Sequence, residues 1–150
     1  VTVTWRSAVS YAFIVVVLSW VVGVGVDLAW AVAAGSVGDE FSLWVWDPWN
    51  AVFVVTAVVT LTLVRRLLGA LPTWRVPLVD GAVYLAVLLL RWGIAAWLDG
   101  DDAPVDTAFA MATFALLSLQ LPSAWVLSVW RSRHLRIVLR GRGTRGLADA

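Results

Sequence analysis

The chain has 150 residues, of which 61% are hydrophobic and only 14% charged, with a formal net charge of +1 at pH 7. A soluble domain carries about a quarter charged residues, so this composition points to lipid as the surrounding solvent. Zero cysteines exclude disulfide exchange, thiolate nucleophiles and iron–sulfur ligation within the chain, and a single histidine, His134, excludes a bis-histidine haem.

The first apolar run covers about 8–34, with Trp5 and Arg6 before it and Asp27 late inside it. About 20 apolar residues cross a bilayer, so this span is long enough to tilt or protrude. A signal peptide is the competing reading, because Ala31-Val32-Ala33 resembles a cleavage site. Secretory apolar cores of about 7–15 residues argue against it, and cleavage would leave three spans in the same orientation. The loop at 35–47 carries Asp39, Glu40 and Asp47, with Phe41, Leu43, Trp44, Val45 and Trp46 suited to the headgroup layer.

The second span runs from about 48 to 64. Pro48 opens it, tolerated in a first helical turn where its missing N–H has no partner anyway, and Arg65-Arg66 closes it. A hairpin at 67–75 follows, with Gly69 and Pro72 as breakers. The third span, about 76–98, contains Asp80, Tyr84 and Arg91. A turn rich in Asp, Gly and Pro at 99–104 leads to the fourth span, about 107–130. Pro122 inside that span should kink it.

The expected architecture is all-α: an integral-membrane four-helix bundle of two up–down hairpins, with the whole of 1–150 as one four-span transmembrane domain. Both hairpins have an acidic loop at one end and arginines at the other, and Asp47-Pro48 with Phe53 faintly echoes Pro104 with Phe109. The second and fourth spans differ in length, which argues against internal duplication. Ten of the eleven cations, all arginine, fall at the same end: Arg6, Arg65, Arg66, Arg75 and those from Arg131 onward. The acids Asp39, Glu40, Asp47, Asp99, Asp101, Asp102 and Asp106 fall at the other. By the positive-inside rule both termini are cytoplasmic, in a bacterial cytoplasmic membrane. The chain is tryptophan-rich, with 11 Trp, and Trp5, Trp44, Trp46, Trp49, Trp74, Trp97 and Trp130 flank the spans as an interfacial belt would.

Three ionisable residues, Asp27, Asp80 and Arg91, lie within the apolar runs. Each costs about 2.5–3.5 kcal/mol at mid-helix even on the lenient insertion scale, so each needs a partner, water or a task. Asp27 and Arg91 fall at similar depth on co-directional helices and are expected to pair. Asp80 lies near the inner surface and is expected to meet Arg75, Arg66 or headgroup water. Asp80, Tyr84 and Arg91 share one face of the third span, since eleven positions at about 100° per residue return to one side. Thr113 and Gln120 share a face of the fourth, suited to hydrogen bonds between helices. The candidate binding residues are therefore Asp27, Arg91, Asp80, Tyr84 and Gln120.

The tail at 131–150 is basic. As a helix it places Arg133, Arg136 and Arg140 on one face and Leu135, Val138 and Leu139 on another, so Arg131, Arg133, Arg136 and Arg140 are expected to contact anionic lipid headgroups. A voltage-sensor reading fails because these arginines follow the last apolar run. The acids of the second outer loop lack the spacing of a calcium-binding loop, and no catalytic constellation, cofactor, metal or nucleic-acid motif is visible. The leading functional expectation is a non-enzymatic membrane component, an accessory or scaffold for a protein partner, either another membrane protein or further copies of itself. The alternative is a small oligomeric transporter or channel for an ion or solute using Asp27, Asp80 and Arg91. An enzyme acting on a lipid-soluble substrate is the third possibility.

Overall fold

A computed structural model describes residues 3–35, 47–68, 71–72 and 74–133. Among these residues the chain is helical throughout, with five helices and no strand. They are α1 (Trp5–Ala34), α2 (Pro48–Leu68), α3 (Arg75–Leu98), α4 (Pro104–Leu117) and α5 (Gln120–Arg133). The first three are each long and apolar enough to cross a membrane, and the bent pair α4–α5 makes a fourth candidate if counted as one span.

Helix boundaries follow from local chemistry. Thr4 caps α1, its side chain accepting from the Ser7 backbone N–H at 3.4 Å. Gly35 ends the helix at φ 76°, in the left-handed region a side chain would resist, with its N–H turned back to Ala31 and Val32. Pro48 begins α2 as its missing donor allows. Asp47 caps that helix, one carboxylate oxygen accepting from the Trp49 N–H at 3.0 Å. Asp101 orders the turn before α4, accepting from the Ala103 N–H at 2.9 Å and from the Thr107 hydroxyl.

The kink expected at Pro122 is realised as a complete break, three residues earlier. α4 and α5 meet at 62°. Proline has no N–H to give the Ser118 carbonyl, and its ring excludes that carbonyl from helical geometry. The chain therefore ends one helix at Ser118, passes through Leu119 at φ 63°, and starts another in which Pro122 occupies the first turn.

The interior is lined by residues three or four apart. On α1 they are Tyr11, Val15, Ser19, Gly23, Asp27 and Ala31; on α2 they are Phe53, Ala57, Leu61 and Arg65. α3 contributes Asp80, Tyr84, Leu88 and Arg91 and packs against both α2 and α4. α5 lies between α1 and α3 at one end: the Tyr11 hydroxyl is 3.2 Å from the Ser128 carbonyl, and Trp125 covers Gly81. A Cβ at Gly81 would stand 2.0 Å from the Trp125 indole nitrogen, so that contact exists only with glycine there.

The outward faces are apolar too. Phe13, Val21, Val55, Val59, Leu78, Leu90 and Phe109 are each more than two-fifths exposed. A monomer in water rarely shows apolar patches beyond a few hundred Å², so this surface is compatible with a multi-pass membrane protein. Trp5, Trp74 and Trp130 are exposed at the end that carries the arginines, and Trp97 at the opposite end. At the arginine-bearing end Arg66 stacks 4.3 Å over Trp5, and Arg75 4.7 Å over Trp74.

Candidate functional site

Buried polar groups occur at three levels along the interior. At the arginine-bearing end, Asp80 of α3 meets Arg65 from the last turn of α2. Arg65 Nη2 is 2.6 Å from Asp80 Oδ2, with the two side chains 5% and 1% exposed. Tyr11 of α1 completes the cluster. Its hydroxyl accepts from Arg65 at 3.0 Å and donates to the same Asp80 oxygen, while the guanidinium lies 4.7 Å over its ring. Three helices are thereby tied at one point. Asp80 Oδ1 and Ser128 Oγ, both buried, have no hydrogen-bond partner among the described residues.

At the middle level Tyr84 is held by two neighbours. Gln120, the first residue of α5, donates Nε2 to its hydroxyl at 2.8 Å, and Ser19 Oγ of α1 lies 2.9 Å away. Phe53 meets the Tyr84 ring edge-on at 5.3 Å. Gln120 sits against Gly23, where a Cβ would come within 2.9 Å of its own Cβ. The break between α4 and α5 thus delivers a polar side chain to the interior.

At the third level Arg91 of α3 donates Nη2 to Asp47 Oδ2 at 2.7 Å and to Asn50 Oδ1 at 3.3 Å. Its guanidinium lies 3.5 Å from the centroid of the Trp92 ring. Asp47 divides its carboxylate, one oxygen capping α2 and the other holding Arg91. Between this level and the middle one is a cavity of about 20 Å³ lined by Trp20, Asn50, Phe53, Leu88, Arg91, Trp92 and Gln120. It has room for one water. On the other side of Arg91 lies a cleft of about 700 Å³ between α2 and α4.

Of the residues singled out by sequence, Tyr84 and Gln120 are brought together, and Asp80 and Arg91 share the interior face of α3. The expected Asp27–Arg91 pair is not among the ion pairs of the described residues, which are Arg65–Asp80 and Arg91–Asp47. Arg91 lies seven residues before the end of α3, about 10 Å along the axis, and its long side chain reaches toward that end as snorkelling arginines do. Asp47, 29% exposed, offers a charge there that costs less to desolvate than Asp27, which is buried on α1. Asp80 likewise bonds to Arg65, not to Arg66 or Arg75. Arg66 lies about 100° further round the helix and is exposed. Arg65 and Tyr11 were missed, although both continue a four-residue interior spacing, Phe53–Ala57–Leu61–Arg65 and Tyr11–Val15–Ser19. Arg131 turns inward to Ser10 Oγ at 3.2 Å, whereas Arg133 is exposed. Arg136 and Arg140 lie outside the described residues, as do Asp39, Glu40, Trp44 and Trp46. No group of three or more metal-ligating side chains occurs among the described residues.

No known family, curated protein or solved structure gives a match to this chain.

Proposed function

We propose that this chain is a non-enzymatic multi-pass component of a bacterial cytoplasmic membrane, an accessory or scaffold subunit working with a membrane partner. In this reading α1, α2, α3 and the bent α4–α5 pair are four spans of a bundle of two hairpins. Both termini are cytoplasmic, because the arginine-bearing end is the inner one. The observation that carries the proposal is the state of Asp80, which is 1% exposed and holds both Arg65 and Tyr11 through Oδ2. A charge that meets other fixed side chains holds helices in register and leaves the apolar outer faces for lipid and partner.

Two experiments test this. The chain has no native cysteine, so Asp102→Cys and Thr73→Cys report orientation cleanly. The first should label from outside intact cells and the second should not; the reverse overturns the topology. Photo-crosslinkers at the outward positions Phe13, Val21, Val55 and Val59 should give a discrete protein adduct from one face in native membranes. Lipid adducts alone from every face would remove the subunit reading.

A second reading, a small transporter, is favoured by one observation: the α4–α5 break presents Gln120 to Tyr84 in the interior. Transporters build solute sites from discontinuous helices near the bilayer midplane. Solute or ion flux through reconstituted protein distinguishes the two.

A further inference from the structure

The cleft beside Arg91 has the chemistry of a ligand site. α2 and α4 each flank α3, and the space of about 700 Å³ between them falls within the usual range for small-molecule sites. Arg91 and Trp92 lie on its α3 side, Trp49 on the α2 side, and Met111 and Phe114 on the α4 side; Asp47 and Asp99 also border it.

Arg91 is only 7% exposed. Among the described residues both of its hydrogen bonds use Nη2, and its buried Nε has no partner there. A buried donor of this kind calls for an acceptor, and the Nε edge of a guanidinium suits an oxyanion. The charge balance asks for the opposite sign as well. Among the described residues of the lining Asp47 and Asp99 outnumber Arg91, so a simple anion meets an excess negative charge, while a simple cation leaves the arginine donor unmet. A ligand with both groups answers both demands. Its oxyanion takes Arg91, its ammonium takes Asp99 and the aromatic faces of Trp49 and Phe114, and its hydrocarbon lies along Met111. The mouth is where α2 begins and α3 ends, the level at which headgroups lie if these helices span a bilayer.

The geometry points to a binding site for a zwitterionic phosphoethanolamine ester in the Arg91 cleft. Two sources share that chemistry: the bilayer's own phosphatidylethanolamine and a water-soluble phosphoethanolamine ester. The site is independent of whether a protein partner exists.

The test uses the full chain, delipidated in detergent, with retained lipid read by native mass spectrometry. Phosphatidylethanolamine, phosphatidylglycerol and soluble glycerophosphoethanolamine are offered separately. Phosphatidylethanolamine should bind about tenfold tighter than phosphatidylglycerol, the worth of one charge-assisted contact. Asp99→Asn, at an exposed position, should erase that preference. Met111→Trp fills the cleft with every charge in place and should abolish binding; thermal melts establish that both variants are folded. Comparable binding of the soluble ester would assign the source to water, and its failure would assign it to the bilayer; both outcomes support the site. Equal or tighter binding of phosphatidylglycerol overturns it. So does unchanged phosphatidylethanolamine binding in folded Met111→Trp.

Discussion

Removing one member of the Arg65–Asp80–Tyr11 cluster strands the others in a place where water cannot replace it. In Arg65→Gln, Asp80 keeps only the Tyr11 hydroxyl as a described partner, at 1% exposure. In Asp80→Asn, a guanidinium 5% exposed loses its counter-charge. Breaking a fully buried pair in this way costs about 3–5 kcal/mol. Tyr11→Phe removes the hydroxyl's hydrogen bonds to both charged groups and leaves the ion pair intact, so at least about 1.5–3 kcal/mol is expected. The double variant Arg65→Gln/Asp80→Asn removes both charges together and should cost less than the sum of the singles, with a coupling on the order of 1–3 kcal/mol. Reversible unfolding in mixed detergent–denaturant micelles measures all four proteins. The pair at the other end provides an internal comparison. Asp47 is 29% exposed although Arg91 is only 5%, so Asp47→Asn should fall between the ~1 kcal/mol of exposed pairs and the ~3–5 kcal/mol of fully buried ones. Additive single costs at Arg65 and Asp80, or a smaller loss there than at Asp47, would refute the reasoning.

Further outcomes follow from particular contacts. Gly81→Ala drives a methyl into the Trp125 indole and should destabilise by about 1–3 kcal/mol, whereas Gly25→Ala, with nothing within 4 Å, should gain roughly 0.5–1 kcal/mol; both are read by the same unfolding assay. The Thr107 hydroxyl and Ala103 N–H hold the Asp101 carboxyl below its ordinary range. A lowered folded pKa stabilises above the unfolded value of about 4 and loses that contribution as pH falls through the folded one, so Asp101→Asn should flatten only the acid limb of a melting-temperature profile. A peptide of 131–150 should bind anionic vesicles in a salt-sensitive way, and Arg133→Gln, Arg136→Gln and Arg140→Gln together should weaken it. Equal binding of the native peptide to neutral vesicles would remove the lipid role of the tail.

The helices themselves were largely legible in the sequence, because lipid-length apolar runs and their breakers are strong local signals. Pro48 opens α2 as expected, and Asp80, Tyr84 and Arg91 share one interior face because helical periodicity requires it. The partners were not legible, since partner choice depends on depth and on side-chain reach. Arg65 reads as a terminating cation beside Arg66, yet only one of the two can face inward. Arg91 prefers Asp47 to Asp27 because a long side chain can bend to a partly exposed carboxylate. At Pro122 the sequence signalled a disturbance but not its form. A kink and a break both accommodate the missing N–H, and the break adopted places Gln120 against Tyr84 and Gly23, contacts far apart in sequence.

The central claim is that the interior charges lock helices together and do not conduct. Proton and ion flux in proteoliposomes tests it most directly, comparing native protein with the Arg65→Gln/Asp80→Asn variant once that variant is known to be folded. The expected result is flux indistinguishable from protein-free vesicles for both. A flux through native protein that the folded double variant loses would contradict the claim and make the chain a transporter.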